Sequence, residues 1–484
     1  MPCTRGMPVE RILRDLARCR SFGAGSKYSS PDPLTIPSSP ESNASAAMVE
    51  ERRSVLHSWC VQAEWDAPTV TGGEGAFFRD ERGRRYLDMS SLAECMNLGH
   101  QHPAVVQAIR EQAEKLCFVT AAWGAEPRAR LAERLLEKSG FEGGRVFFTL
   151  GGADANEHAV KFARQASGRP RGWVVTRDRS YHGASYAAMA LSGDARVSEQ
   201  VDPRDFHVER VPPPYAYRCP FGSTSDDECA ERSACAVGEA IEARGRDQVA
   251  AVVLEPNAGT NGIVAPDAYW PRVRVETRRR GVLLVADEVM SGFGRCGEWF
   301  AWQRYGEAAR PDLMTLAKGL TGAHVPLGAV VLSGHVAERL ERERLQTGLT
   351  YCGHPLACAA GLAAVRAYEE EGLIERSRAL GAWMFRELRA MQDRLPVIGD
   401  VRGGHGLFAV VELVKDRATR EPVSAWPRTH PSLEAFLRKG REEGVSFAAR
   451  GNLVLLAPPL VVREEDLRQA LELMEHLLSR LEWS

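Results

Sequence analysis

Lysine is scarce in this chain. Seven stand among 484 residues, although Lys and Arg together number 62. No charge of either sign is in excess, since those 62 bases meet 64 acids for a formal net charge of -2. Such a balance leaves no electrostatic footprint for nucleic acid or an anionic membrane surface. Uninterrupted apolar runs of about 18 residues are missing, which excludes a spanning helix, and no signal-peptide core stands near the N-terminus. Zinc-type cysteine spacing is missing too. The 11 cysteines lie mostly singly in apolar segments, as at Cys95, Cys117 and Cys358, which reads as a reduced, cytoplasmic protein. Cys219, Cys229 and Cys235 cluster in YRCPFGSTSDDECAERSAC, but their spacing fits no common metal site, so neither a metal nor a disulfide is expected there.

Against this scarcity Lys318 stands out. The other six lysines (Lys27, Lys115, Lys138, Lys161, Lys415, Lys439) sit among polar or charged neighbours. Lys318 alone leaves an apolar strand, Asp312 to Leu316, and enters a turn of small residues, Ala317-Lys318-Gly319. A lysine held in low dielectric gives up its proton easily and becomes a nucleophile able to form a Schiff base. Just upstream, the strand-length run Val282 to Ala286 ends in Asp287 and Glu288. A carboxylate at the end of a buried strand is costly unless a cation meets it. An Asp and a Lys at strand ends suit pyridoxal phosphate, whose aldehyde bonds the lysine and whose ring nitrogen needs an anion. A plain buried Asp–Lys ion pair explains these two residues equally well.

The chain divides into four stretches. Residues 1–47 hold a short amphipathic pattern, Pro8 to Cys19, then a Ser/Pro-rich tract expected to be flexible. Residues 48–105 form a segment joining a small domain, with a hairpin from Ala76–Phe78 to Arg85–Leu87 across the turn Asp80–Gly83. A helix opens at His102-Pro103 and runs to about Leu116. Residues 106–345 alternate strands and helices as a mostly parallel α/β sheet does. Its strands are expected at Val146–Leu150, Trp173–Thr176, Ala250–Glu255, Val282–Ala286, Leu313–Leu316 and Leu327–Leu332. Residues 346–484 turn to long amphipathic helices, broken by HGLFAVVEL and NLVLLAPPL as strands, and read as a smaller α+β domain.

The polar signals fall at the carboxyl ends of these strands, where such sheets bind ligands. Gly151 and Gly152 lie between a strand and a helix, so backbone N–H groups there can cradle a phosphate, or simply make a tight turn. Tyr181 and His182, in SYHG, place an aromatic where it can stack on a planar ring, or a surface turn. Asp287 and Val289 are two apart and, if extended, point to one side.

These blocks resemble a family: the class III, or ω-type, aminotransferases among the fold type I pyridoxal-phosphate enzymes. The resemblance covers about residues 50–480 and rests on GGADANEHAVKFAR, SYHG, LEPNAGTNG, LLVADEVMSGFGRCG, PDLMTLAKGL, GLTYCGHPLACAA, VRGGHGLF and LLAPPL, all in the family's order. It implies that Lys318 bonds the cofactor and moves the proton, that Asp287 pairs with the ring nitrogen, that Tyr181 stacks and that His182 and Val289 adjoin the ring. It further implies that Gly152 and Ala153 hold the phosphate by backbone N–H, and that Thr350 reaches the phosphate in a neighbouring subunit of a homodimer. There are departures. Ala153 stands where the family often has Ser, so one phosphate hydrogen bond must come from elsewhere. Two positions at which the family carries an acceptor-binding arginine fall on Ala448 and Leu455, and Arg450 is the nearest substitute. Glu255 resembles the glutamate that holds such an arginine aside. Glu94 stands at a pocket position that is often aromatic; it is expected to face solvent or, if it faces the pocket, to favour a donor with a second positive group. Trp59 and Trp123 are expected as pocket walls or as core.

The function implied is transfer of an amino group from a terminal amine, ω-amino acid or aminosulfonate to a 2-oxo acid, pyruvate favoured, by a ping-pong Schiff-base route. Taurine–pyruvate transaminases are the branch nearest in wording. A decarboxylating transaminase, an aminomutase or a racemase would keep Lys318 and Asp287 as well. A non-catalytic binder of the cofactor would not require Lys318.

Overall fold

The computed structural model describes residues 46–197 and 200–483. The expected N-terminal helix and flexible tract of residues 1–47 fall almost wholly outside the described residues. The described residues fall into two units, divided between Thr69 and Val70. In the first, a helix spans Ala46–Ser54 and a short 3-10 turn spans Gln62–Glu64. His57 and Trp65 stack there at 3.7 Å.

The second unit is built on a seven-stranded sheet: β1 (Arg145–Thr149), β2 (Trp173–Arg177), β3 (Val208–Val211), β4 (Val249–Leu254), β5 (Leu283–Asp287), β6 (Leu313–Leu316) and β7 (Gly328–Leu332). Their spatial order is β1-β7-β6-β5-β4-β2-β3. Only β7 runs antiparallel to its neighbours. Every residue of β4, β5, β6 and β7 is buried. That is why these strands read as continuous apolar runs instead of alternating ones: helices cover both faces. β3, with the sequence VERV at the sheet edge, was not legible as a strand because half its residues are charged.

Alternation along β5 sorts side chains between the two faces. Leu284 and Ala286 join the core packed with Ala230, Val237 and Val273. Leu283 and Val285 join the opposite one, with Ala155, Ala159 and Phe162 of helix α1 (Gly152–Ala166). Asp287, two residues beyond Val285, therefore projects on the α1 side.

A second, antiparallel sheet orders Ile398–Gly403, Ala409–Asp416, Leu453–Leu456 and Ala448–Arg450. A third joins Val70–Glu74, Phe77–Asp80 and Arg85–Asp88 to Val445–Ser446, far along the chain. Asp80 fixes the turn of this hairpin by accepting the N–H groups of Arg82 and Arg84 and the Tyr86 hydroxyl. Among the described residues no helix is long and apolar enough to cross a membrane.

Candidate active site

Loops from the carboxyl ends of β1, β2, β4, β5 and β6 converge, as the parallel topology requires. Asp287, nearly fully buried, is held by three donors. Asn156 Nδ2, one turn into α1, donates to Oδ2 at 2.8 Å, and His182 Nδ1 lies 2.7 Å from the same oxygen. Val289 N–H reaches Oδ1 at 3.0 Å. Each support is itself held: Thr315 Oγ1 donates to Asn156 Oδ1 at 2.8 Å, and Thr176 Oγ1 lies 3.2 Å from His182 Nε2. Hydrogen bonds in this number offset the cost of burying the carboxylate. The ion pair with Lys318 that the strand ends left open does not form; the lysine bonds elsewhere.

α1 begins at Gly152 with no side-chain cap, so its first N–H groups lack intrahelical partners and its positive end is open to an anion. Gly152 is required by close packing: a Cβ there would lie 2.9 Å from Val289 Cγ1. Val289 itself sits in the turn after β5, not in an extended segment with Asp287. The expected strand alternation is thus corrected, and Val289 works through its backbone N–H and its packing on Gly152. Gly183, at φ +131, approaches Ala153 so closely that a Cβ would meet the Ala153 Cβ at 2.5 Å. Tyr181 is half-buried at the end of β2, with the Arg196 guanidinium 5.0 Å from its ring centre. His182 is buried beneath Asp287 and acts through it.

Lys318 follows β6 at φ +43, outside the usual range for a side chain of its kind. Gly319 beside it has no room for a side chain, since a Cβ would lie 2.8 Å from both Asn97 Nδ2 and Phe293 Cβ. Lys318 Nζ donates to Glu94 Oε2 at 2.9 Å. The lysine side chain is 26% exposed, the glutamate 8%. Two expectations change here. Glu94 is buried against the lysine and does not face solvent. Burial disfavours the ammonium, but the adjacent Glu94 carboxylate outweighs it and holds Lys318 above the ordinary lysine range, so a low-pKa amine is not what this geometry supplies.

The remaining candidates divide. Glu255 pairs with the fully buried Arg177 at 3.1 Å, not with Arg450, and its other oxygen accepts the Tyr181 N–H at 3.4 Å. Burial pushes the Glu255 carboxyl up against the opposing charge of Arg177. Arg450 lies on an extended segment as expected, but it is locked bidentately to Asp194 at 2.6 and 2.7 Å. Asp194 also takes Arg196, and the two arginines hold its carboxyl well below the usual range despite burial. Thr350 is exposed in the loop that follows the helix Gly334–Glu341. Trp123 is 70% exposed and Trp59, in the separate N-terminal unit, 53%, so neither belongs to the core. Cys219, Cys229 and Cys235 are free, as is every described cysteine.

Sequence reading missed Asn156, Thr315, Arg177 and Asp194. Asn156 carried a signal in hindsight: it lies four residues past Gly152, on the helix face that Ala155 and Ala159 bury against β5.

An open helix N-terminus, a buried carboxylate with a remaining acceptor position, an adjacent aromatic and an amine at one strand-end cluster fit pyridoxal phosphate by donor chemistry. The comparisons agree. A family model described as "Aminotransferase class-III" matches residues 61–478. A taurine–pyruvate aminotransferase of Rhodobacter capsulatus is 34% identical over 86% of this chain and 92% of its own length. A leucine/methionine racemase of Thermococcus litoralis is 36% identical over 83% of this chain and 88% of its own. The crystal structure of a taurine:2-oxoglutarate aminotransferase from Bifidobacterium kashiwanohense, in complex with PLP and glutamate, superposes with a TM-score of 0.83 at 35% identity, covering 89% of this chain and 96% of that one.

Proposed function

We propose, from the premise that the chain belongs to the class III aminotransferase family and is a pyridoxal-phosphate-dependent transaminase of fold type I, that its donor is a terminal amine, ω-amino acid or aminosulfonate and its acceptor pyruvate. The observation that carries the site assignment is the three-donor lattice around Asp287, facing the same strand ends as Lys318. Pyridoxal phosphate, when bound, would supply an electron sink for the substrate's deprotonated carbon and a carbonyl carbon that carries the donor's nitrogen until the acceptor arrives. Asp287 would keep its ring nitrogen protonated, Tyr181 would lie against the ring, and the N–H groups of Gly152 and Ala153 would hold its phosphate. Lys318 would hold the group at rest and carry the proton at the reacting carbon. Pyruvate is supported by the name of the Rhodobacter relative. It is supported as well by the Arg450–Asp194 lock, which leaves that arginine's charge already matched.

We read the protein as a cytoplasmic homodimer with shared sites. Exposed Trp123, Thr350 and Tyr351 lie on one patch: Arg128 ties the two loops by donating to Trp123 O and Gly353 O, both at 2.9 Å. An exposed aromatic patch of this kind suits a protein partner, and Thr350 on it suits a role at a neighbouring subunit's phosphate site.

The test is the visible spectrum of the purified protein with a panel of amines. A yellow protein that bleaches with an ω-amino acid or aminosulfonate and recovers its colour with pyruvate is expected; recovery with 2-oxoglutarate alone would overturn the acceptor. The racemase relative favours a second reading, inversion at an amino acid's α-carbon. Chiral chromatography separates the two, since inversion yields the mirror-image amino acid and no 2-oxo acid.

A further inference from the structure

Four consecutive non-glycine residues, Ser91, Leu92, Ala93 and Glu94, hold positive φ values of 49, 41, 73 and 57°. Runs of this kind are rare, because each L-residue there costs free energy and only glycine escapes. Strain persists where surrounding structure over-determines it, and it concentrates at functional sites. The surroundings here are specific. Asp88 Oδ1 accepts the N–H groups of Ser90 and Leu92. Ser91 Oγ donates to Ala457 O at 2.6 Å and accepts Arg295 Nη2 at 3.0 Å. Arg295, fully buried, also reaches Asn97 Oδ1, Leu407 O and Pro458 O. All this fixes one outcome: the carboxylate of buried Glu94 is held 2.9 Å from Lys318 Nζ.

We propose that Glu94 is a positioning residue for Lys318, the anion that receives the lysine's ammonium whenever its nitrogen is not bonded to the cofactor, and so keeps the proton at the reacting face between half-reactions. The inference rests on the transaminase reading. No Glu is required for the lysine to bond the cofactor; what the strained turn adds is a counter-ion dedicated to the lysine once it is released. Cys95 lies on the same turn, Asp287 at the end of β5 and Tyr181 beyond β2 face the lysine, and Arg295 faces the glutamate, with Asp88 beside Cys95 and Arg295. Asp287 already has three donors and Arg295 four acceptors, so the lysine is the cation that Glu94 serves.

The test compares wild type, Glu94→Gln and Glu94→Asp, without cofactor for the titration and loaded for turnover. The pH midpoint for reductive methylation of Lys318 in the full chain without cofactor should fall by about one to two units in Glu94→Gln, and Glu94→Asp should restore part of the shift. The kcat of the amine half-reaction should drop about tenfold or more in Glu94→Gln with donor KM little changed. An unshifted titration would overturn the inference; so would a rise in KM confined to diamines with no shift, which would make Glu94 a donor-recognition residue. A measurement on the wild type needs no variant: reductive methylation of the full chain without cofactor, read at Lys318 by peptide mass. Its midpoint should lie at or above that of Lys439, and a midpoint below it would also overturn the inference. Failure of these tests is separable from failure of the functional reading, which would appear as a wild-type protein that never turns yellow.

Discussion

Asp287 illustrates how much of a site side chain lies in its neighbours. Its carboxylate is placed by strand alternation and held by Asn156, His182 and the Val289 N–H. Replacement by Asn preserves the shape and removes the charge proposed to hold the cofactor's ring nitrogen protonated. Asp287→Asn should still bind the cofactor and turn yellow, but the amine-dependent bleaching in single turnover should slow by about 10³-fold or more. A rate within tenfold of wild type would remove Asp287 from its assigned role. Lys318→Ala is expected to lose both the resting colour band and transamination by several orders of magnitude. The same measurement of colour and turnover checks it. The pH behaviour of Glu94→Gln belongs here too, and its sign follows from charge. A carboxylate beside the lysine stabilises the protonated form, so its removal lowers the pH at which the proton leaves.

The left-handed turn Ser91–Glu94 is an element whose conformation opposes its composition. Ala93 has φ 73 and ψ 42, a region that glycine enters without steric penalty. Ala93→Gly should therefore stabilise the protein by about 0.5–1 kcal/mol after glycine's own entropy loss is counted, seen as a higher unfolding midpoint in urea. The methylation midpoint of Lys318 should stay at the wild-type pH, because the carboxylate still reaches the lysine. A destabilised variant would mean that the backbone there is not left-handed. The start of α1 makes the contrasting case. Gly152 is needed for want of space, so its freedom of φ plays no part.

Considered as a whole, the chain presents Trp123, Thr350 and Tyr351 on one exposed patch. Sedimentation should give twice the 53.2 kDa of one chain. Substituting Trp123 by Glu should shift the mass toward the monomer and lower activity in parallel if the sites are shared. Full activity in a monomeric variant would refute the shared site.

The seven-stranded sheet was largely legible because strands buried on both faces leave long apolar runs, as VVL and LLVA do here. β3 was not, because an edge strand of four residues with two charges carries no such run. Lys318 and Asp287 could be picked out for a related reason: a charge at the end of an apolar strand is costly enough to imply a purpose, and that inference needs only neighbours in sequence. Pairings across long separations had no such signature. Nothing in the sequence near Glu94 points to Lys318, 224 residues away, nor is Arg450 marked as belonging to Asp194 and not to Glu255. Those choices were made by the packing of separate loops, where a buried charge takes whichever partner the tertiary structure brings within hydrogen-bonding distance. Composition and local pattern thus specified the strands, the turn chemistry and the reactive residue types, since each depends on neighbours along the chain. The tertiary structure alone decided which charges meet, because that depends on distances that only folding creates.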